Sequence, residues 1–193
     1  SDEIISIQTN NGIVDTDGCI RPESTVEDLA NLKPAFSTDG SVTAASSSPL
    51  TDGASATLIC SEEYAKEHGL TPLARIKSIA VAGCAPETMG LGPIVATNKA
   101  LKRANLSIED IDIVEINEAF ASQSIACIQD LNISMQKVNL DGGGIALGHP
   151  LGATGARITG KAAALLVREN KKYALATQCI GGGQGIATIL ESI

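Results

Sequence analysis

The spacing of apolar and polar residues is loose over the first quarter of the chain. Ile4–Thr9 alternates like a β-strand, and Ser24–Glu27 has the composition of a helix start, with Pro34 ending that helix. Residues 41–52 are rich in Ser, Thr and Ala, which is typical of a linker and also of a polar loop lining a ligand site. Composition does not decide between these two interpretations.

A more ordered pattern begins at residue 53. Ala54–Cys60 is a short apolar run with β-branched residues, which predicts a strand. Ser61 is a suitable cap for a helix that ends near His68 and Gly69. His68 would therefore lie in a last helical turn at the surface, a position that does not indicate a catalyst.

Beyond Pro72 predicted strands and helices alternate. Apolar residues recur at helical spacing in the clearest helix, at Ile158, Ala162, Leu165 and Leu166. The order βαβαβαββ predicts an α/β fold with a mixed, mostly parallel sheet covered by helices. The predicted elements are strand 75–83, helix 92–104, strand 111–116, helix 118–131, strand 136–140, helix 153–169, strand 173–179 and strand 185–190.

Composition narrows the class of protein. Hydrophobic residues make up 44% and aromatic residues 2%, so Ala, Val, Ile and Leu must fill the core. A net charge of -8 argues against nucleic acid as a partner. The five cysteines contain no Cys-x-x-Cys pair and fit reduced thiols, and no zinc-ligand spacing predicts a metal site. With no signal peptide and no membrane-spanning run, we expect a cytoplasmic protein.

A glycine-rich stretch, residues 141–149, carries the clearest candidate chemistry. Its only side chain that titrates near neutrality is His149, and the stretch leads directly into a helix. Free N–H groups at a helix start attract an anion or a polarised oxygen. A structural turn with an incidental histidine is the alternative interpretation of this stretch.

Three polar positions follow predicted strands: Asn117, the loop with His149, and Cys179. Ligands in such sheets bind where the strands end at their carboxyl edges. We therefore expect these three side chains to form one site.

Several motifs now carry a resemblance. The segments Asn117–Ala121, Gly148–Arg157 and Cys179–Gly185 resemble the thiolase family, and Met89–Pro93 and Leu32–Phe36 match it as well. Thiolases transfer acyl groups between coenzyme A thioesters, by cleaving a 3-ketoacyl-CoA or by condensing two acetyl-CoA molecules. Coenzyme A would then be a substrate, and no cofactor is expected.

The resemblance also implies a domain organisation. Residues 1–51 look like the end of the family's loop domain, and 52–72 like a strand and helix returning to its N-terminal domain. Residues 73–193 look like the C-terminal domain. The chain begins at Ser1 without Met, as if entered partway, and we expect the N-terminal domain to be absent from it. The expected partners are acyl-CoA and an N-terminal thiolase half, in a homodimer or tetramer of complete units.

The family's nucleophilic cysteine belongs to that N-terminal domain, and none of the other cysteines here, Cys19, Cys60, Cys84 and Cys127, stands in its motif. By resemblance, His149 activates the nucleophile and Cys179 is the base at the α-carbon. A water held by Asn117 would assist His149 at the enolate oxygen. The Gly181 N–H would serve a second oxyanion hole.

Resemblance further places Ser48, Met89, Ala119 and Phe120 along the pantetheine and acyl path, although ordinary core packing explains Met89 and Phe120 equally well. The loop 45–52 resembles that of β-oxidation thiolases, whereas Cys179–Gly185 is closer to the bacterial short-chain type. The acyl chain length therefore stays open. Two alternatives remain: a related condensing enzyme, although ketosynthases have His or Asn in place of Cys179, and a non-catalytic binding or assembly subunit.

Overall fold

A four-stranded sheet forms the centre of the protein. A computed structural model describes residues 3–193, and in it the strands are ordered β3 (Arg75–Gly83), β6 (Gln184–Glu191), β5 (Tyr173–Ile180) and β4 (Ile113–Ile116). Strand β6 is antiparallel to both of its neighbours, and β4 is parallel to β5. Three strands therefore share one direction. The predicted mixed, mostly parallel α/β sheet is confirmed.

Helices cover both faces of this sheet. Helices α3 (Gly92–Ala104) and α4 (Ala121–Asp130) lie on one face, and α6 (Thr154–Arg168) lies on the other. Successive side chains of β4 alternate between the two layers, because neighbouring residues of a strand point to opposite faces. Within residues 3–193 no helix has the length and apolar character needed to cross a membrane.

The predicted strand 136–140 is wrong. A 3-10 helix, Met135–Lys137, occupies part of it, and only Val138 forms a parallel bridge, to Val114. Asn139 adopts a left-handed conformation with φ 45°. Its side-chain Oδ1 accepts the Ile116 N–H at 2.9 Å and its Nδ2 donates to the Ile116 carbonyl at 3.0 Å. A side-chain amide thus makes the hydrogen bonds that a continuing strand would have made.

Residues 3–70 contain only short elements. Strands β1 (Ile7–Thr9) and β2 (Gly12–Val14) form a hairpin, and α1 (Val26–Ala30) and α2 (Glu62–Glu67) are single short helices. The remaining helices are the one-turn α5 (Gly144–Leu147) and 3-10 helices at Ala44–Ser46, Pro86–Leu91 and Ile108–Asp110.

The strand expected at 54–60 is not formed. Leu58 and Ile59 are 74% and 70% exposed. A strand needs a neighbouring strand to pair its backbone groups, and the described residues provide none for this segment.

The outer strand of the sheet, β3, is closed by side chains of α3. Lys99 Nζ donates to the carbonyl of Val81 at 3.0 Å, and Arg103 donates to the carbonyl of Ile79. The side chains of Ile79 and Val81 remain 44% and 45% exposed. The strand therefore has bonded carbonyls at these positions and an uncovered apolar face.

This uneven burial predicts uneven stability. In the isolated 193-residue chain, we expect proteases to cut before residue 73 while the sheet and its helices resist. Hydrogen–deuterium exchange should show fast exchange at residues 54–60 and slow exchange at 111–116, since only the latter have buried partners. Equally slow exchange in the two segments would contradict the expectation.

Candidate active site

Strand β4 ends in a buried asparagine. Asn117 has no exposed surface, and its backbone N–H donates to the Thr177 carbonyl at 3.0 Å. Its side-chain oxygen and nitrogen have no hydrogen-bond partner among the described residues. A Cβ at Gly144 would lie 3.0 Å from the Asn117 Oδ1, so the amide packs directly against α5. Both a donor and an acceptor are thus available at this strand end.

The imidazole of His149 is held by a neighbouring threonine. Gly148, the residue after α5, has φ 96°, and a Cβ there would lie 2.7 Å from the Thr51 side chain, so glycine is required. His149 Nδ1 lies 2.6 Å from Thr154 Oγ1, whose hydroxyl is 3.1 Å from the Pro150 carbonyl. The assignment that uses both contacts has the hydroxyl donating to Pro150 and accepting the Nδ1–H, which leaves Nε2 unprotonated.

Electrostatics favour the neutral form of this ring. Burial lowers the pKa of His149, and the positive charge of Arg157 lowers it further. A histidine with a lowered pKa is uncharged at neutral pH and can accept a proton on Nε2. Chemically, a ring in this state can act as a general base.

An ionic contact fixes the start of the glycine-rich loop. Asp141 Oδ1 accepts a hydrogen bond of 2.8 Å from Arg168 Nη2, and the carboxylate also pairs with Lys161. These two cations of α6 hold the pKa of the Asp141 carboxyl well below its usual range. Both ends of the loop are therefore tied to α6, because His149 bonds to Thr154 at the other end.

Cys179 lies near the end of β5, opposite Gly185 of β6. Burial raises the pKa of its half-buried thiol, and Cys84 adds to the shift. The group is therefore a protonated thiol at neutral pH. In the turn that follows, nothing lies within 4 Å of a Cβ built on Gly181, so its backbone is open to approach.

Three of the four predicted substrate-binding residues lie in two neighbouring segments, 47–48 and 119–120. The Ser48 N–H donates to the Ala119 carbonyl at 3.0 Å, and Ser47 forms an antiparallel bridge with Phe120. The Phe120 ring meets Phe36 edge to face, with centroids 6.0 Å apart. The loop before residue 52 thus closes over the segment that follows Asn117.

The fourth residue, Met89, lies in the turn that precedes α3. Its carbonyl accepts from the Cys84 thiol at 3.8 Å, and the next residue, Gly90, packs against Gln123 of α4. A cavity of about 320 Å³ between α3 and α4 contains none of the predicted site residues.

Sequence reasoning missed the buried carboxyl of Glu115. It is 1% exposed, and burial raises its pKa to about 7, opposed by the charges of Arg157 and Lys161. An available signal was a charged residue inside the apolar run 111–116. Thr154 was missed too, although it lies within the Gly148–Arg157 motif.

Comparison of the sequence with models of known protein families identifies the family of this chain. The thiolase C-terminal domain model matches residues 70–192, and the thiolase N-terminal domain model matches residues 1–63. The chain belongs to the thiolase family. A 3-ketoacyl-CoA thiolase of Vibrio vulnificus (strain YJ016) is 58% identical over 182 residues, covering 92% of this chain and 47% of the relative.

Solved thiolases share the fold. Bacillus anthracis acetyl-CoA acetyltransferase superimposes with a TM-score of 0.93 at 46% identity, covering 98% of this chain and 49% of the other. Human mitochondrial 3-ketoacyl-CoA thiolase in complex with CoA gives 0.91 at 46% identity, covering 97% and 48%. The chain thus spans about half the length of the thiolases it matches.

The raised pKa of Glu115 predicts a pH-dependent stability. The folded state binds this proton more tightly than the unfolded state, so stability is lost as pH rises from about 4.3 through 7. The contribution is roughly 2–4 kcal/mol in total. Thermal or urea unfolding between pH 4 and 8 should show that Glu115→Gln removes this decline, whereas Glu109→Gln, at an exposed position, keeps it. Parallel pH profiles for the wild type and Glu115→Gln would contradict the assignment.

Proposed function

We propose that this chain forms the C-terminal part of a thiolase that cleaves 3-ketoacyl-CoA or condenses two acetyl-CoA molecules. The observation that carries the proposal is the hydrogen bond from the His149 Nδ1–H to Thr154 Oγ1, which leaves Nε2 unprotonated and able to accept a proton. Relatives named 3-ketoacyl-CoA thiolase and a human relative solved in complex with CoA support it.

His149 is the general base in this proposal. Its neutral Nε2 takes the proton from a cysteine thiol supplied by the N-terminal half, and the thiolate then attacks the acyl carbon. The nearby Arg157 charge favours the neutral ring. His149 also donates to the enolate oxygen later in the reaction, together with a water bound to the Asn117 amide.

Cys179 carries the α-carbon proton. In thiolysis the protonated thiol gives its proton to the enolate that leaves when the carbon–carbon bond breaks. In condensation the thiolate removes that proton from acetyl-CoA. Proton transfer of this kind contributes about 10²–10⁴-fold to the rate. The raised pKa of Cys179 supports a thiol that holds its proton until the carbanion forms.

The remaining residues bind and polarise the thioester. The Gly181 N–H donates to the second oxyanion, which typically contributes about 10²–10³-fold. Ser48, Ala119 and Phe120 form one wall of the pantetheine and acyl path, and Met89 also lies along this path.

A second half completes the assembly. The chain spans about half of the thiolases it matches, and its segment 54–60 lacks a strand partner within the described residues. In this proposal an N-terminal half supplies both the nucleophile and the missing sheet. The complete unit forms a homodimer or tetramer in the cytoplasm.

The 193-residue polypeptide alone should be inactive. Incubated with acetyl-CoA, it should show no stoichiometric acetyl adduct by mass spectrometry and no thiolysis of acetoacetyl-CoA, since none of its cysteines lies in the nucleophile's motif. A stoichiometric adduct on any of the five cysteines would overturn the assignment of roles.

With a nucleophile-bearing N-terminal half supplied, two variants separate the two proton transfers. Cys179→Ser should still permit acetylation of the nucleophile but block exchange of the α-protons of acetyl-CoA. His149→Ala should impair both steps, by about 10²-fold or more. Mass spectrometry and deuterium exchange measure them, with His68→Ala as the control for loss of a histidine elsewhere in the chain. Undiminished exchange in Cys179→Ser would remove the base from Cys179.

A further inference from the structure

The one-turn helix α5, which leads to His149, has no cap of its own. The residue at its start, Gly143, has no side chain, so the first free N–H groups need an acceptor from elsewhere. The Ile145 N–H donates to Glu118 Oε2 at 3.1 Å. The Glu118 carboxylate, just beyond the end of β4, thus caps the N-terminus of α5, a role usually filled by a side chain at the start of the same helix.

The other carboxylate oxygen is also occupied. Asn139 Nδ2 donates to Glu118 Oε1 at 2.6 Å, while the same Asn139 amide is bonded to the backbone of Ile116. Both Glu118 oxygens therefore face N–H donors. A carboxylate satisfies both, whereas an amide in its place must turn its own NH₂ group towards one of them.

The glycines of the loop fit around this carboxylate. A Cβ at Gly143 would lie 2.3 Å from the Glu118 carboxyl carbon. Backbone hydrogen bonds then connect Gly143 and Gly144 to the end of α5. The Leu147 N–H donates to the Gly143 carbonyl at 2.9 Å, and the Gly148 N–H donates to the Gly144 carbonyl at 2.8 Å. His149 is the next residue.

We propose that Glu118 is a positioning residue that sets the distance between Asn117 and His149. Its carboxylate joins the end of β4 to α5, and the two proposed oxyanion donors extend from those two elements. The kinetic consequence rests on the proposed thiolase function, whereas the contact itself does not.

The test replaces one hydrogen-bond acceptor of the Glu118 carboxylate by a donor. In the assembly with a nucleophile-bearing N-terminal half, Glu118→Gln should lower kcat of thiolysis by about 10–100-fold, since a displacement of about 1 Å can cost 10²-fold. The KM for the acyl-CoA should change by less than about threefold. Acetylation and α-proton exchange should fall together, because His149 serves both.

The matched control is Glu109→Gln, which makes the same Glu-to-Gln change at an exposed position. It should keep the kcat and KM of the wild type.

A measurement without catalysis separates this inference from the proposed function. In the 193-residue chain, amide exchange at Ile145 and Gly148 should be at least about tenfold faster in Glu118→Gln than in Glu109→Gln. If the wild-type assembly does not act on acyl-CoA, the proposed function fails, and exchange still decides the Glu118 contact. Unchanged exchange at Ile145, or an unchanged kcat in Glu118→Gln, would each overturn the inference.

Discussion

Two hydrogen bonds between the Asn139 side chain and the backbone of Ile116 hold the end of β4, from which the residues around Asn117 extend. They complete the edge of β4 where no further strand residue pairs with it. The residues that follow Ile116 run directly into the site: Asn117 towards α5, Glu118 towards Ile145, and Ala119 towards Ser48. A shift at this strand end would displace all three contacts at once, because they are made by three consecutive residues of the chain. Burial of the Asn139 side chain, 8% exposed, protects these bonds from water.

Hydrophobic periodicity was sufficient for most of the elements. The predicted strand 75–83 and helix 92–104 coincide with β3 and α3, since their apolar residues repeat at one period and Gly and Pro mark the boundaries. It failed at 136–140, where a left-handed asparagine pairs through its side chain, a device that no apolar pattern encodes. At 54–60 the apolar pattern predicts a strand that is not formed, because the pattern carries no information about whether a partner strand is present.

The sequence was sufficient to predict the candidate residues at the strand ends, but not the residues that hold them in place. His149, Asn117 and Cys179 were singled out because they follow predicted strands or lie in the glycine-rich loop. Thr154 and Glu118 act through distances that depend on the three-dimensional path of the loop. Burial also acts in opposite directions on the two titrating groups, lowering the pKa of His149 and raising that of Cys179. Both are therefore uncharged at rest, which avoids the free-energy cost of burying a charge.

The bonds from Lys99 and Arg103 to β3 have a consequence for assembly and solubility. Outer strands with free carbonyls can recruit foreign strands and seed cross-β aggregates. Here α3 has occupied the carbonyls of Ile79 and Val81 with its own cations. At these positions another polypeptide can pack its side chains against the uncovered face of β3, but it cannot add a strand to the edge of the sheet. The protein can therefore keep an apolar face of β3 exposed without also offering the free carbonyls at which strand-by-strand aggregation begins.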